Sequence, residues 1–197
     1  NTAGKITGSW DSLYNLLKTS KGLESLGLHY YASTRLDYLA VRPDFDVLSH
    51  NLSHALRLAT QLQRLNIPHF FRIDTIVRQM GPMPHLTYLY IQEGMVDEPP
   101  SKLLENCANL RHLHLQLDNR TERYHIASTS LQTLLIDSKV NMNSVTISCP
   151  NLQTLKFMPA HGEVKEVILR GEHYKLEEFT SKIPIIDHLE GNFQSLK

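Results

Sequence analysis

The chain has 197 residues, 41% of them hydrophobic, and 20 Lys plus Arg balance 20 Asp plus Glu, with an isoelectric point near 7.3. A chain of this length fills one domain core without needing a second, and its balanced charge excludes the broad positive field that drives non-specific binding to phosphate backbones. No apolar run nears the roughly 20 residues that cross a bilayer, and two cysteines are too few for the disulfide framework of a small secreted domain.

A reducing compartment, cytoplasmic or nuclear, is therefore expected, with no nucleic-acid, membrane or cofactor partner. Two glycosylation acceptor triplets, Asn51-Leu-Ser53 and Asn119-Arg-Thr121, point the other way, but such triplets arise readily by chance and the cysteines outweigh them. The opening NTAGKITGSW is neither basic-then-apolar nor initiated by Met, so the chain reads as a fragment.

In chain order, Trp10, Leu13, Tyr14 and Leu17 share one helical face behind a Ser9 cap, and Gly22 stops the helix. Leu23-Glu-Ser-Leu26-Gly-Leu28 follows as a strand. His29 to Pro43, HYYASTRLDYLAVRP, is extra length carrying three tyrosines and two arginines. It reads either as a packed surface loop or as a binding loop with Tyr30, Tyr31, Arg35, Tyr38 and Arg42 as its contacts. Phe45, Leu48, Leu52, Ala55, Leu56, Ala59 and Leu62 then line a longer helix. A shorter helix runs near Arg72 to Met80 before Gly81-Pro82, and another from Ser101 to Cys107 after Pro99-Pro100.

The strands between these helices repeat one pattern, Leu-x-x-Leu-x-aliphatic. It starts at Leu23, Leu62, Leu86, Leu110, Leu131 and Leu152, at intervals of 39, 24, 24, 21 and 21 residues. That period lies in the leucine-rich-repeat range. A strand points alternate residues to opposite faces, so Leu113 and Leu115 go inward while His112, His114 and Gln116 go outward. In the second half His125 to Leu134 aligns without gaps to Thr146 to Leu155, and Val167-Ile168-Leu169 with Leu176-Glu-Glu-Phe179 is a looser third copy. Each such repeat holds two short strand-like segments and no room for a helix of more than a turn. The fold class is therefore α/β: a right-handed leucine-rich-repeat solenoid with a parallel concave β-sheet, its convex side made of helices up to about residue 120 and of short strands from 121 to 197. One domain of about seven to nine units is expected.

Cys107-Ala-Asn-Leu110-Arg-His-Leu113-His-Leu115 and Cys149-Pro-Asn-Leu152-Gln-Thr-Leu155-Lys-Phe157 resemble the cysteine-containing leucine-rich repeats of F-box proteins, and the two-segment repeats resemble those of plant and fungal members. The resemblance spans roughly residues 10 to 180. It implies a protein-interaction module, the substrate-recognition part of a ubiquitin ligase receptor, with an F-box that docks the ligase adaptor; no F-box pattern occurs in this sequence. A non-ligase scaffold or inhibitor with the same binding face is the alternative, and an enzyme with an unrecognised hydrolytic or metal site is the remaining class.

Read across strands, the concave row is Ser25, Gly27, His29; Arg64, Asn66; Tyr88, Tyr90, Gln92; His112, His114, Gln116; Thr133, Leu135, Asp137; Thr154, Lys156, Met158. The protein-binding residues expected from it are His29, Arg64, Asn66, Tyr88, Tyr90, Gln92, His112, His114, Gln116, Asp137 and Lys156. Tyr88, Tyr90, His112 and His114 form an aromatic centre suited to protein recognition, against the alternative that they stack only to stabilise the sheet. His112 and His114 could chelate a metal only with further ligands, and the expected register supplies Tyr88, Tyr90, Thr133 and Leu135, none of them good for zinc. No nucleophile elbow, phosphate-binding glycine loop or His-Glu-x-x-His occurs, so no catalytic residue is assigned. Glu177-Glu178 reads as a solvated edge.

Overall fold

The computed structural model describes residues 10–20, 22–28, 45–68, 71–94, 101–117, 123–138, 141–158, 164–171, 175–181 and 188–190. Its first half alternates helix and strand: α1 (Trp10–Thr19), β1 (Ser25–Gly27), α2 (Phe45–Leu56), β2 (Arg64–Ile67), α3 (Ile73–Met80), β3 (Tyr88–Gly94), α4 (Ser101–Asn106) and β4 (His112–Leu117). From there strands alone follow: β5 (Arg123–Ala127), β6 (Thr133–Ser138), β7 (Met142–Ser148), β8 (Thr154–Phe157), β9 (Val164–Leu169), β10 (Glu178–Ser181) and β11 (His188–Glu190). A seven-stranded sheet runs β1-β2-β3-β4-β6-β8-β10 and a four-stranded sheet runs β11-β9-β7-β5, every pairing being parallel. The expected change of the second layer from helices to strands falls between α4 and β5, as the shortened repeat requires. This is the leucine-rich-repeat solenoid.

Its core lies between the two layers. Leu26, Leu65, Ile67, Leu89, Ile91, Leu113, Leu115, Leu134, Ile136, Leu155 and Phe157 point inward from the long sheet, while Tyr124, Ile126, Val145, Ile147, Val167 and Leu169 point back at them from the short one. The leucine that opens each motif is buried at the turn before the strand: Leu23, Leu62, Leu86, Leu110, Leu131, Leu152 and Leu176. At five of these turns the leucine N–H donates to the carbonyl three residues back, at Ser20, Ala59, Met83, Cys107 and Cys149. The cysteines thus occupy a recurrent inner corner, shared with Ser20, Ala59 and Met83. Both thiols are free and buried, and desolvation pushes Cys107 up to about 12 and Cys149 to about 11.

The backbone between repeats is joined by a second recurrent device. The carbonyl of Glu24 accepts from both Gln63 and Arg64 N–H, Gln63 from Thr87 and Tyr88, Thr87 from Arg111 and His112, Arg111 from Gln132 and Thr133, Gln132 from Gln153 and Thr154, and Gln153 from Glu177 and Glu178. Each such carbonyl sits just before a strand and clamps the entry of the next, so the long sheet starts in register at every step. Asn109 and Asn151 add side-chain ties, donating to the Pro84 carbonyl at 2.7 Å and the Thr129 carbonyl at 2.6 Å in the preceding turn.

One helix is shorter than the apolar spacing suggests. The face from Phe45 to Leu62 carries α2 only to Leu56; Arg57 to Leu62 form turns, because Leu62 belongs to the next strand's entry and its N–H bonds to Ala59. Buried Ser49 and Ser53 tie α2 to α3, Ser49 Oγ accepting from Arg72 N–H at 2.8 Å and Ser53 Oγ donating to Gln79 Oε1 at 2.9 Å. The hydroxyl of the triplet Asn51-Leu-Ser53 is therefore enclosed in a helix, a poor presentation for glycosylation, which favours surface loops. α3 ends at Gly81, whose φ of 74° is a conformation that suits glycine. Among the described residues no helix is long and apolar enough to cross a membrane.

Leu110→Ala should cost about 2 to 5 kcal/mol in urea unfolding, as buried leucine truncations do, whereas Arg111→Ala next to it, exposed and clamping through its backbone alone, should stay within about 0.5 kcal/mol. A thiol reagent should label neither Cys107 nor Cys149 in the native protein and both once urea unfolds it; rapid native labelling would contradict the enclosed corner.

Candidate functional site

The clamped register turns the repeat into rows across the outer face of the long sheet. One row is Ser25, Arg64, Tyr88, His112, Thr133, Thr154 and Glu178; the next is Gly27, Asn66, Tyr90, His114, Leu135, Lys156 and Thr180. Parallel strands lie about 4.8 Å apart, so side chains at matching positions in successive repeats must touch. They do: Tyr88 and His112 have ring centroids 6.4 Å apart, and Tyr90 and His114 stack at 4.3 Å with 17° between planes. The Arg64 guanidinium carbon lies 4.7 Å from the Tyr88 ring centroid, a cation–π contact.

A polar chain crosses this aromatic centre. The Tyr90 hydroxyl donates to Gln116 Oε1 at 3.3 Å, and Gln116 Nε2 donates to Asp137 Oδ2 at 3.3 Å. Three enclosed atoms of the patch lack a hydrogen-bond partner among the described residues: Asn66 Oδ1, His114 Nε2 and Asp137 Oδ1. Burial disfavours the charged imidazole and lowers His114 below its ordinary value, with the Asp137 carboxylate pulling in the opposite direction. His114 is thus held neutral at physiological pH. Titration near neutrality, the ordinary behaviour of an exposed histidine, is moved by this packing toward acid.

Of the residues singled out in the sequence, Arg64, Asn66, Tyr88, Tyr90, His112, His114, Gln116 and Asp137 fall into one contiguous patch. Gln92 does not continue the Gln116 and Asp137 row: the β3–β4 register shifts between Ile91 and Gly94, where β3 carries one residue more than β4, and Gln92 sits in that irregularity. Lys156 lies at the far end and is held by Glu178, Nζ to Oε1 2.6 Å. Glu178 is a face residue that sequence reasoning left at a solvated edge. Its position two after Leu176, matching His112 after Leu110 and Thr154 after Leu152, was the available signal. His29 and the loop residues Tyr30, Tyr31, Arg35, Tyr38 and Arg42 lie outside the described residues.

His112 has Tyr88 and Thr133 as register neighbours and His114 has Tyr90 and Leu135, none of them a good zinc ligand. Among the described residues no group of three or more His, Cys, Asp or Glu is placed to hold a metal ion. What this face can do chemically is bury rings and exchange hydrogen bonds with something laid across it.

A family model described as FBD-associated F-box protein At5g56370, LRR repeats, matches residues 36–179, more than half of the chain. Comparison with curated proteins and with solved structures gave no match.

In an NMR titration the His114 ring should show a midpoint below the ordinary value of about 6.5, and Asp137→Asn should move it lower still by removing the attraction that opposes burial. By linkage, a histidine whose folded pKa is depressed leaves stability intact above its unfolded pKa and erodes it as pH falls through that value, since the unfolded chain takes up the proton first. A midpoint at or above 6.5, or a rise on Asp137→Asn, would contradict this electrostatic picture.

Proposed function

The chain belongs to the leucine-rich-repeat family of FBD-associated F-box proteins, and from that premise we propose that it captures a protein on the outer face of its seven-stranded sheet, as the substrate-recognition module of an F-box-type ubiquitin ligase receptor. The observation that carries this reading is the patch from Arg64 to Asp137. Its half-exposed rings and enclosed polar atoms are arranged in contiguous rows, on a face that the core does not use.

The physical case is one of cost. An enclosed polar atom without a partner is unfavourable by about 1 to 3 kcal/mol, and the patch holds three of them. A surface selected only for solubility has no reason to hold them beside stacked rings. A partner that supplies matching groups recovers the loss and buries Tyr and His rings at small entropic cost, the usual chemistry of interface anchors. In this reading the chain contributes binding and no bond-making chemistry, acts in the cytoplasm or nucleus, and leaves ubiquitin transfer to the ligase that its F-box, carried elsewhere in the receptor, would dock.

Tyr90→Ala combined with His114→Ala should abolish capture of specific partners in affinity pull-downs while circular dichroism remains that of the parent chain. Unchanged capture would remove this face from the function. For a partner so identified, deleting the gene should lengthen its half-life in cells; an unaltered half-life with capture intact would rule out the ligase role.

A further inference from the structure

We propose that Asp137, with His114 beside it, is a socket for one basic side chain, an arginine or lysine, carried by the captured protein. This rests on the reading of the outer face as a protein-binding surface and adds the chemistry of the residue that anchors there.

The hydrogen bonds of the patch have a direction. Tyr90 donates to Gln116, and Gln116 donates to Asp137, so the chain terminates in an acceptor. A carboxylate offers about four lone-pair positions on its two oxygens; here Oδ2 takes the Gln116 N–H while the enclosed Oδ1 takes none. The Asn66 oxygen, on the other side of the Tyr90–His114 stack, is a second enclosed acceptor without a donor. Both acceptors call for donors.

Charge points the same way. Of the cations on these rows, Arg64 lies over Tyr88 and Lys156 is paired with Glu178, so each already has a neighbour on its own part of the sheet. Asp137, by contrast, accepts from the neutral Gln116 amide and is paired with no Lys or Arg among the described residues. A guanidinium would give Asp137 Oδ1 a charge-assisted bond and could lie flat against the Tyr90–His114 rings, which stack at 4.3 Å. Because burial keeps His114 neutral, no positive charge competes at that spot. An acidic side chain would meet like charge, and an apolar one would leave the enclosed oxygen unmet.

A random peptide library displayed on phage and selected on the purified chain tests this. Clones are first sorted by whether Tyr90→Ala abolishes their capture, which identifies those directed at the face. Those clones should share an arginine or lysine, and should lose at least about tenfold in affinity on Asp137→Asn, within the range found when one member of a buried charge pair is neutralised. Replacing the peptide's arginine by citrulline, nearly the same shape without the charge, should produce a similar loss on the unaltered chain, so the result does not depend on how well Asp137→Asn folds. Face-directed clones with no shared basic residue, or with affinity indifferent to citrulline, would overturn the socket while leaving the face as a binding surface. A selection yielding no face-directed clone would count against both.

Discussion

Everything in this molecule depends on a repeat that cannot bury itself. A single strand with its opening leucine and two inward aliphatics has no second layer and no neighbour, so each repeat gains its stability from the repeats on either side. The shared carbonyl that receives two N–H groups from the next repeat, at Glu24, Gln63, Thr87, Arg111, Gln132 and Gln153, makes that dependence geometrically strict. It sets where every strand begins. Once entry is fixed, the inward positions stack as leucine layers and the outward positions stack as rows, and a shift by one residue anywhere would exchange the two faces.

The outer rows follow from the same constraint. Tyr88 with His112 and Tyr90 with His114 come together because they hold equivalent places in consecutive repeats 24 residues apart. The core is filled from the other face, which leaves the rows free to vary without loss of fold. That freedom is what lets a polar chain from Tyr90 through Gln116 to Asp137 end with an open acceptor. In the proposed reading, the patch trades some local stability for directional groups that a partner can meet.

Most of this architecture was legible in the residues. The leucine spacing revealed the solenoid, the self-alignment of His125–Leu134 with Thr146–Leu155 revealed the all-strand second half, and alternation along each strand placed Tyr88, Tyr90, His112 and His114 on one face, in the register observed. Four features were not legible, each for a physical reason. α2 stops at Leu56 because Leu62 serves the next turn, and apolar spacing cannot say which element owns a leucine. The extra residue in β3 that displaces Gln92 leaves no compositional mark. The roles of Asn109 and Asn151 depend on a carbonyl one repeat away. The open atoms of Asn66, His114 and Asp137 are products of packing, which periodicity does not encode.

The central claim is that the inward layers hold the fold and the outward rings are spare for recognition; the opposing view is that Tyr88, Tyr90, His112 and His114 stack to hold the sheet together. Urea unfolding of a chain with Arg64, Tyr88, Tyr90 and His114 all replaced by alanine separates them. If the rings are spare, the four replacements together should cost no more than about 2 kcal/mol, the scale of a few exposed aromatic and cation–π contacts, with the steepness of the transition unchanged. A loss beyond about 5 kcal/mol, as large as the severest single core leucine truncations, or a flattened transition, would mean that the outer face is part of what folds the chain.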